Sequence, residues 1–195
     1  MLGAETNVAF RRVAVVGAVG SGKSTLAKEI ARRIDAPHIE LDALRYQPDW
    51  VEEADETFRR KVVEYVGTDK WVIDGNYADV QDLIWVRAQL LVWIDFPLSI
   101  VLWRLLRRTF RRLLTREEFN SNREQFWRVF GSKSILLWAI QSHGPRRRRY
   151  EELVKNERYA HLQVVRLRSP SAVSTWLAGL REPAARSKIE QQGVK

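Results

Sequence analysis

Residues 13–25 read VAVVGAVGSGKST, and this stretch decides the fold. Gly17, four further residues and then Gly22-Lys23-Ser24 fill the pattern G-x-x-x-x-G-K-[ST] at every defined position. Glycines let the backbone turn its N–H groups inward around a phosphate, in conformations that side chains disfavour. In such a loop the lysine reaches the β and γ phosphates and the hydroxyl after it binds Mg²⁺. The residues predicted to bind the nucleotide are Gly17, Ala18, Val19, Gly20, Ser21, Gly22, Lys23, Ser24 and Thr25.

The residues on either side of this loop support the prediction. Val13–Val16 are β-branched and small apolar residues, which is typical of a buried strand. Leu26, Ile30 and Ile34 recur every four residues, which predicts a helix over 24–34 that packs one face on a sheet. A strand, a phosphate loop and a helix in this order predict that the chain binds a nucleoside triphosphate with Mg²⁺.

Strands and helices alternate along the rest of the chain, which predicts an α/β protein with a mostly parallel sheet covered on both faces. The predicted strands are 13–16, 37–41, 70–74, 90–95 and 162–167. The predicted helices are 24–34, one from Val51 to Val66, 79–87, a basic helix after Pro97 with Leu102, Leu105, Leu106 and Leu113 inside, a segment that starts at the capping box of residues 115–118, 134–142, 146–156 and 170–180. Gly144-Pro145 is expected to separate two of these helices. Ligands bind at the carboxyl ends of parallel strands, where Asp42 follows one predicted strand and Asp74 and Asp95 end two others.

Two of these aspartates have predicted roles in phosphoryl transfer. Asp42 can accept the proton of an acceptor hydroxyl or hold a Mg²⁺-bound water, and the alternative is a loop aspartate that caps a turn. Asp74 ends a strand expected beside the first one, which is the usual place for the acid that holds Mg²⁺ through water, with Ser24 as the direct ligand. Asp95 competes for this role, although the Phe96-Pro97 that follows favours a helix cap.

The acceptor is expected to bind between residues 42 and 66 and beside residues 76–87. Tyr46, Trp50 and Tyr77 can stack on a planar group such as a base. Trp71, Trp93 and Trp138 lie in apolar runs and are predicted to be core residues. The candidate substrate-binding residues are Asp42, Arg45, Tyr46, Trp50, Asp74, Gly75, Asn76 and Tyr77.

The net charge of +9 is concentrated in one region. Residues 104–149 hold 13 Lys and Arg against 3 Asp and Glu, a net of +10, and the remaining 20 basic and 21 acidic residues leave −1. Such a region favours polyanionic ligands, either nucleotide phosphates or a nucleic-acid backbone. There is no cysteine, Met1–Phe10 does not have the pattern of a signal peptide, and the apolar region 83–106 contains charges that disfavour a membrane span. We expect a cytoplasmic protein that binds no membrane.

With these residues in hand, the chain resembles the nucleoside-monophosphate-kinase-like P-loop kinases. More narrowly, it resembles the adenylate-kinase-related family labelled DNA topology modulation proteins. The resemblance covers roughly residues 12–180 and rests on Gly17–Thr25, Leu41-Asp42, Trp71–Tyr77, Trp93–Pro97 and Leu102–Arg108. It implies a single three-layer kinase domain over residues 1–180, with a five-stranded parallel sheet in the order 2-3-1-4-5. It also implies an acceptor-binding segment over about 42–66, a helical lid within about 104–149 and MgATP as phosphoryl donor. Residues 181–195 are expected to be a flexible tail.

The resemblance also suggests roles for arginines of the basic region. Arg104 and Arg108 match lid arginines that touch the donor phosphates, and they share one helix face. Arg149 matches the arginine at the lid exit. Arg123 could lie over the γ-phosphate of a closed lid, where an arginine would stabilise developing negative charge. The alternative is a surface position for Arg123. The family's Asp-Gly-Phe-Pro-Arg stretch is here Asp74-Gly75-Asn76-Tyr77 without the arginine, which argues against adenylate as acceptor.

The sequence therefore predicts an ATP-dependent phosphotransferase that uses Mg²⁺ and acts on a small acceptor, in the first place a nucleotide-like molecule. Two alternatives stay open. The basic region 104–149 can belong to a nucleic-acid-binding ATPase or regulator, or the kinase can act on a sugar, a small acid or a nucleic-acid end.

Overall fold

The computed structural model describes residues 10–47, 51–115 and 135–180 of the 195-residue chain. Five strands form one sheet in which every pairing is parallel, in the order β2-β3-β1-β4-β5. This order confirms the one expected from the family resemblance. The strands are β1 (Arg12–Gly17), β2 (His38–Glu40), β3 (Trp71–Asp74), β4 (Leu90–Ile94) and β5 (Gln163–Leu167).

Helices connect the strands in the described ranges. They are α1 (Lys23–Ile34), α2 (Leu41–Arg45), α3 (Asp55–Val66), α4 (Ala78–Arg87), α5 (Leu98–Thr115), α6 (Ile135–Leu153) and α7 (Pro170–Gly179), with a 3-10 turn at Glu157–Tyr159. The predicted cap of the last helix is confirmed, because the Ser169 hydroxyl accepts a hydrogen bond from the Ala172 N–H and Pro170 begins α7.

The core lies on both faces of the sheet, as expected when parallel strands are covered by helices on each side. On one face, α3 and α4 pack Phe58, Val62 and Trp85 against the strands. On the other face, Leu26 and Ile30 of α1 pack with Leu105 of α5. The buried strands β1, β3 and β4 thus hold their carboxyl ends fixed, and the phosphate loop follows the central one.

Three predictions on the helices are wrong. The helix predicted from Val51 begins at Asp55, and Val51 is exposed, while Tyr46 and Glu52 form an isolated antiparallel bridge. Leu41 begins the short helix α2, where the sequence had predicted the end of a strand followed by a loop. Leu106, expected inside, faces solvent because the turn of α5 that packs on the core presents Leu105 and Val101 instead.

The predicted break at Gly144-Pro145 is also wrong, since α6 runs through Pro145 without interruption. A proline inside a helix removes one hydrogen bond and costs about 3 kcal/mol. Packing on both sides offsets this cost: Ala139 and Tyr150 are buried, and His143 Nε2 contacts the Phe96 carbonyl oxygen at 2.9 Å. Trp138, predicted as a core residue, is exposed on the same helix with its ring against the Arg146 guanidinium, 4.7 Å away.

None of the helices in the described part of the chain combines the length and the apolarity that a membrane-spanning segment requires. The predictions on Trp50, Arg123, a helix start near residues 115–118 and the tail 181–195 concern residues that lie outside the described ranges, apart from Thr115 at the end of α5.

Candidate active site

The phosphate loop joins the carboxyl end of β1 to the first turn of α1. Gly22, which precedes α1, has a left-handed backbone with φ 92°, so a side chain there would be strained. The Lys23 amine donates to the Ala18 carbonyl oxygen at 3.3 Å, across the loop. Arg104 of α5 donates to the Ser21 carbonyl oxygen at 2.7 Å while its guanidinium lies 4.9 Å from the centre of the Phe96 ring. Two hydrogen bonds therefore stabilise the loop, one from Lys23 within it and one from Arg104 of the neighbouring helix α5.

The Lys23 ammonium lies in a strongly charged environment. Burial lowers its pKa, because desolvation disfavours the charged form. The Asp42 and Asp74 carboxylates oppose this effect, and the positive charges of Arg146 and Arg108 add to it. The charge of Lys23 is therefore influenced by both predicted carboxylates and by two arginines of the basic region, all at this edge of the sheet.

Ser24 and Asp74 meet as predicted for a Mg²⁺ site. The Ser24 hydroxyl lies 2.7 Å from Asp74 Oδ2, and Glu40 Oε1 lies 3.2 Å from the same hydroxyl oxygen. The other Asp74 oxygen contacts His38 Nε2 at 2.6 Å. Glu40 and His38 were not predicted from the sequence as site residues. Their signal is the alternation His38, Glu40 along a strand expected to be buried, because residues two apart on a strand share one face.

These groups fit a Mg²⁺–nucleotide complex. Two carboxylates lie next to the same hydroxyl group, so negatively charged oxygen atoms are concentrated there. Oxygen ligands of this kind are the ones that Mg²⁺ prefers. Within the described ranges, three or more His or acidic side chains do not come together as a direct metal cage. A direct cage of protein ligands is not required for Mg²⁺ at a nucleotide site, because phosphates and waters usually supply most of its ligands. Two buried polar atoms without a hydrogen-bond partner in the described residues, Ser21 Oγ and Arg146 Nη1, also suit a phosphate.

Asn76 supports the phosphate loop. Its side-chain oxygen accepts from the Gly17 N–H at 3.2 Å and from the Tyr150 hydroxyl at 2.9 Å, and its amide donates to the Gly17 carbonyl oxygen at 2.6 Å. These bonds use both acceptor positions of the Asn76 amide and one of its two donor hydrogens, so the predicted contact to substrate could use only the remaining amide hydrogen. Asn76 links the loop to the ends of β3 and α6.

Close packing against Leu41 requires a glycine at position 75. Its φ is 148°, and a Cβ at this position would lie 2.7 Å from the Leu41 Cβ. No side chain fits between β3 and α2, so the glycine allows α2 to approach the strand end. The contact fixes the position of α2, which carries Asp42.

Asp42 lies on α2 with its side chain exposed and accepts a hydrogen bond from the Tyr77 hydroxyl at 2.7 Å. Burial, together with the Asp42 carboxylate and Tyr46, raises the pKa of Tyr77 above its ordinary range. The Tyr77 ring packs edge to face on Phe58, with 5.2 Å between ring centres. Asp42, Tyr46 and Tyr77 therefore come together, as the sequence analysis expected, beside the cluster that contains Lys23.

Arg45 does not present its guanidinium to this cluster, which corrects its prediction as a substrate-binding residue. Its side chain is buried over the Phe58 ring and forms ion pairs with Asp55 at 2.6 Å and Glu52 at 2.8 Å. The hydrogen bond to Asp55 leads the effects that raise the pKa of Arg45. This guanidinium links α2 to Glu52 and to the first residue of α3.

Asp95 is neither at the Ser24 cluster nor used as a helix cap by any contact in the described residues. It is buried and lies 2.6 Å from Arg166 of β5 and 3.4 Å from Arg147 of α6. Glu151 joins the same network at 2.6 Å from Arg166, whose guanidinium stacks 4.1 Å from the Trp93 ring centre. The network ties β4, β5 and α6 together.

The arginines of α6 differ from the prediction in one respect. Arg149 donates to Gln81 Oε1 of α4 at 3.0 Å, and Arg146 is the arginine whose charge acts on Lys23. Burial lowers the pKa of Arg146, consistent with a cation that lacks a neighbouring carboxylate among the described groups. The helical period explains the difference, since a shift of three residues along α6 moves the guanidinium by almost one turn. Arg104 and Arg108 both lie on the loop side of α5, as predicted.

Comparison with known proteins identifies the fold. The family model of ATPases associated with various cellular activities (AAA) matches residues 13–73. The solved structure of a gluconokinase from Sinorhizobium meliloti has a TM-score of 0.52 at 19% identity and covers 87% of this chain and 91% of its own. A shikimate kinase from Bacteroides thetaiotaomicron has a TM-score of 0.51 at 15% identity, over 87% and 95% of the two chains. The chain therefore has the fold of the P-loop kinases.

One curated relative is closer in sequence. A shikimate kinase from Microcystis aeruginosa is 31% identical over 126 residues, which cover 57% of this chain and 66% of that protein. The chain thus spans just under two thirds of that relative's length. These similarities agree with the predicted class, a P-loop phosphotransferase that acts on a small acceptor.

Proposed function

We propose that the protein is an ATP-dependent kinase that transfers the γ-phosphoryl group to a hydroxyl of a small acceptor. The observation that carries the proposal is the convergence of Ser24, Asp74 and Glu40 next to the Lys23 loop. A phosphate loop alone serves many nucleotide-binding proteins. Here Asp42, Tyr46 and Tyr77 lie at the adjoining strand end, and they could bind the acceptor whose hydroxyl receives the phosphoryl group.

The donor side of the reaction follows from the residues of the loop. Backbone N–H groups between Gly17 and Ser24 bind the phosphates, and Lys23 neutralises the β and γ oxygens. Ser24, with Asp74 and Glu40 through water, would hold Mg²⁺, which when bound offsets the charge of the phosphate oxygens. Arg146 and Arg108 add positive charge opposite Lys23, where negative charge develops as the phosphoryl group transfers.

The acceptor side is assigned to Asp42. Its carboxylate is exposed, belongs to the electrostatic surroundings of Lys23 and is held by the Tyr77 hydroxyl. In this position it orients an acceptor hydroxyl and takes its proton as the new P–O bond forms. The same proposal includes the domain plan of the sequence analysis, with the acceptor segment at about 42–66, the lid within 104–149 and Arg123 closing over the γ-phosphate.

Lys23→Ala tests the proposal directly. We expect transfer to fall by at least about a hundredfold, because a preorganised cation is lost from the charge that develops. Lys28→Ala is the matched control, since it removes an exposed lysine from the same helix α1. The measurement is ADP release and phosphorylated product from MgATP across sugars, small acids and nucleoside monophosphates. Full transfer by Lys23→Ala would refute the proposal.

A second candidate uses the same phosphate loop in a nucleic-acid-binding ATPase. The observation that favours it is the positive charge of residues 104–149, in line with the narrower resemblance to DNA topology modulation proteins. Several of these arginines already have protein partners: Arg104 holds the loop and Arg147 pairs with Asp95. Duplex DNA that stimulates ADP release without any small acceptor, with affinity falling steeply as salt rises, would support this candidate. A cytoplasmic setting belongs to both proposals.

A further inference from the structure

We infer that His38 is a positioning residue, which orients the Asp74 carboxylate toward Ser24 and thereby sets how much Mg²⁺ strengthens nucleotide binding. The inference rests on the proposed kinase function and adds a residue to the same site. Its basis is two short contacts in series. His38 Nε2 lies 2.6 Å from Asp74 Oδ1, and the Ser24 hydroxyl lies 2.7 Å from Asp74 Oδ2. The two carboxylate oxygens are therefore bound by two different elements, β2 and the first turn of α1.

The hydrogen in the contact between His38 and Asp74 belongs to the imidazole. An ionised carboxylate can only accept, so the His38 Nε2 carries the hydrogen and donates it to Asp74 Oδ1. A hydrogen bond to a carboxylate is shorter and stronger than one between neutral groups, in agreement with the observed distance. Asp74 is buried and the His38 side chain is only 14% exposed, so water competes little for this bond.

Asp74 needs a second partner because its own torsion angles do not fix the plane of the carboxylate. The terminal torsion of an aspartate has a broad preference, unlike the staggered torsions of an aliphatic side chain. The Ser24 hydroxyl has a single hydrogen, which can be directed either to Asp74 or to Glu40 Oε1, 3.2 Å away. With His38 on the other oxygen, rotation of the carboxylate would break a hydrogen bond at each end. His38 therefore fixes an orientation that Ser24 alone would leave free.

The sheet explains how His38 reaches Asp74. Glu40 is the register partner of Asp74 in the parallel pair β2–β3, and His38 is the partner of Val72. Because residues two apart on a strand share one face, His38 and Glu40 both lie on the face that carries Asp74. Glu40, level with Asp74, reaches the Ser24 hydroxyl itself, whereas His38 reaches the far oxygen of Asp74. Glu40 thus adds negative charge to the site, and His38 adds orientation.

A purely structural explanation assigns the same hydrogen bond to the stability of the sheet. The strand β2 has three residues and lies at the edge of the sheet, so a side-chain bond to β3 would help to hold it. Both explanations predict lower stability when the bond is removed. They differ in the effect of Mg²⁺, because a bond that only holds the strand does not distinguish free nucleotide from its Mg²⁺ complex. An orienting bond contributes to binding chiefly when Mg²⁺ is present.

The experiment measures the dissociation constant of ADP twice by calorimetry, once with excess Mg²⁺ and once with EDTA. The ratio of the two constants is the Mg²⁺ coupling. His38→Met and His38→Gln form a matched pair, since the two new side chains are similar in length and differ in the N–H donor. We expect His38→Met to lower the coupling by roughly tenfold, the usual effect of losing a group that orients a metal ligand. His38→Gln should keep it within about threefold of wild type, because its amide can donate to Asp74 Oδ1.

Ile39→Val is the control for stability. Ile39 is buried in the core, and the loss of one methylene group weakens β2 about as much as the loss of one hydrogen bond, without removing a partner of Asp74. We expect a lower midpoint of thermal unfolding with unchanged Mg²⁺ coupling.

Three outcomes would overturn the inference and leave the proposed function intact. They are a wild-type coupling in His38→Met, an equal loss in His38→Gln, and an equal loss in Ile39→Val. Wild-type protein that binds no MgADP would overturn the inference together with the proposed function.

Discussion

Asp74 and Asp95 occupy matching places in the sheet and have different partners. Each stands at the carboxyl end of a buried strand that flanks β1, and each is itself buried. Asp74 shares its oxygens between the Ser24 hydroxyl and His38, whereas Asp95 is paired with Arg166 and Arg147. A strand end therefore offers a position for chemistry, and the neighbouring side chains decide whether it is used.

The physical difference is whether a further cation is needed. The negative charge of Asp95 is already balanced by two guanidinium groups, so a metal ion would gain little there. In the described part of the chain, the hydrogen bonds of the Asp74 and Glu40 carboxylates go to the Ser24 hydroxyl and the His38 imidazole, and Lys23 is the one cation shown to act on Asp74, so two carboxylates share one positive charge and a divalent cation would be favoured. Under the proposed function, the β3 side of the phosphate loop would be the catalytic side and the β4 side would be structural.

The largest effect that tests this comparison is on activity. Asp74→Asn keeps the size of the side chain and removes its charge, so we expect phosphoryl transfer to fall by roughly 10²–10³, as for the loss of one preorganised electrostatic group. Asp95→Asn, at the matching position, should keep its rate per folded molecule within about threefold. Steady-state kinetics on both variants, normalised to the folded fraction by circular dichroism, decides the matter. Equal losses in the two variants would break the distinction.

Much of this arrangement could be predicted from the sequence. The phosphate loop, the five strands and their alternation with helices rest on local patterns, namely glycine spacing and runs of apolar residues. The pairing of Asp74 with Ser24 followed from the strand order that the family resemblance implied. Glu40 and His38 were missed, although their alternation along β2 was visible.

The remaining differences depend on contacts between distant parts of the chain. The partner of Asp95 is 71 residues further along, on the edge strand β5, and no local pattern indicates which arginine it meets. The continuity of α6 through Pro145 depends in the same way on the Phe96 carbonyl oxygen, 47 residues from His143. The bonds of Asn76 to Gly17 could not be predicted, because an amide at a strand end has the same local sequence pattern whether it binds a ligand or the protein's own backbone.

The next effect concerns Asn76 and the coupling between the loop and its support. Asn76→Ala removes three hydrogen bonds, two of them to Gly17. At roughly 1 kcal/mol each, with partial replacement by water, we expect the free energy of unfolding to fall by about 2 kcal/mol. The affinity for MgATP should fall with it, because the loop loses its support. Urea denaturation and calorimetry measure the two quantities. Loss of stability with unchanged nucleotide affinity would show that the loop keeps its shape without Asn76.

The smallest effect isolates one of these three bonds through its pH dependence. Burial raises the pKa of Tyr150 to about 12 from its ordinary value of 10.0. Below pH 10 the phenol is neutral in both the folded and the unfolded chain, and its hydrogen bond to Asn76 contributes about 1 kcal/mol. Between pH 10 and 12 the unfolded chain releases this proton while the folded chain retains it, so the contribution is lost as the pH rises.

Tyr150→Phe should therefore be less stable than wild type near neutral pH, and the difference in the free energy of unfolding should narrow between pH 10 and 12. Tyr77 titrates in both proteins and cancels from the comparison. A difference in the free energy of unfolding that stays constant from about pH 8 to 11 would show that Tyr150 ionises as freely in the fold as in the unfolded chain, and the buried link between α6 and the phosphate loop would then be refuted.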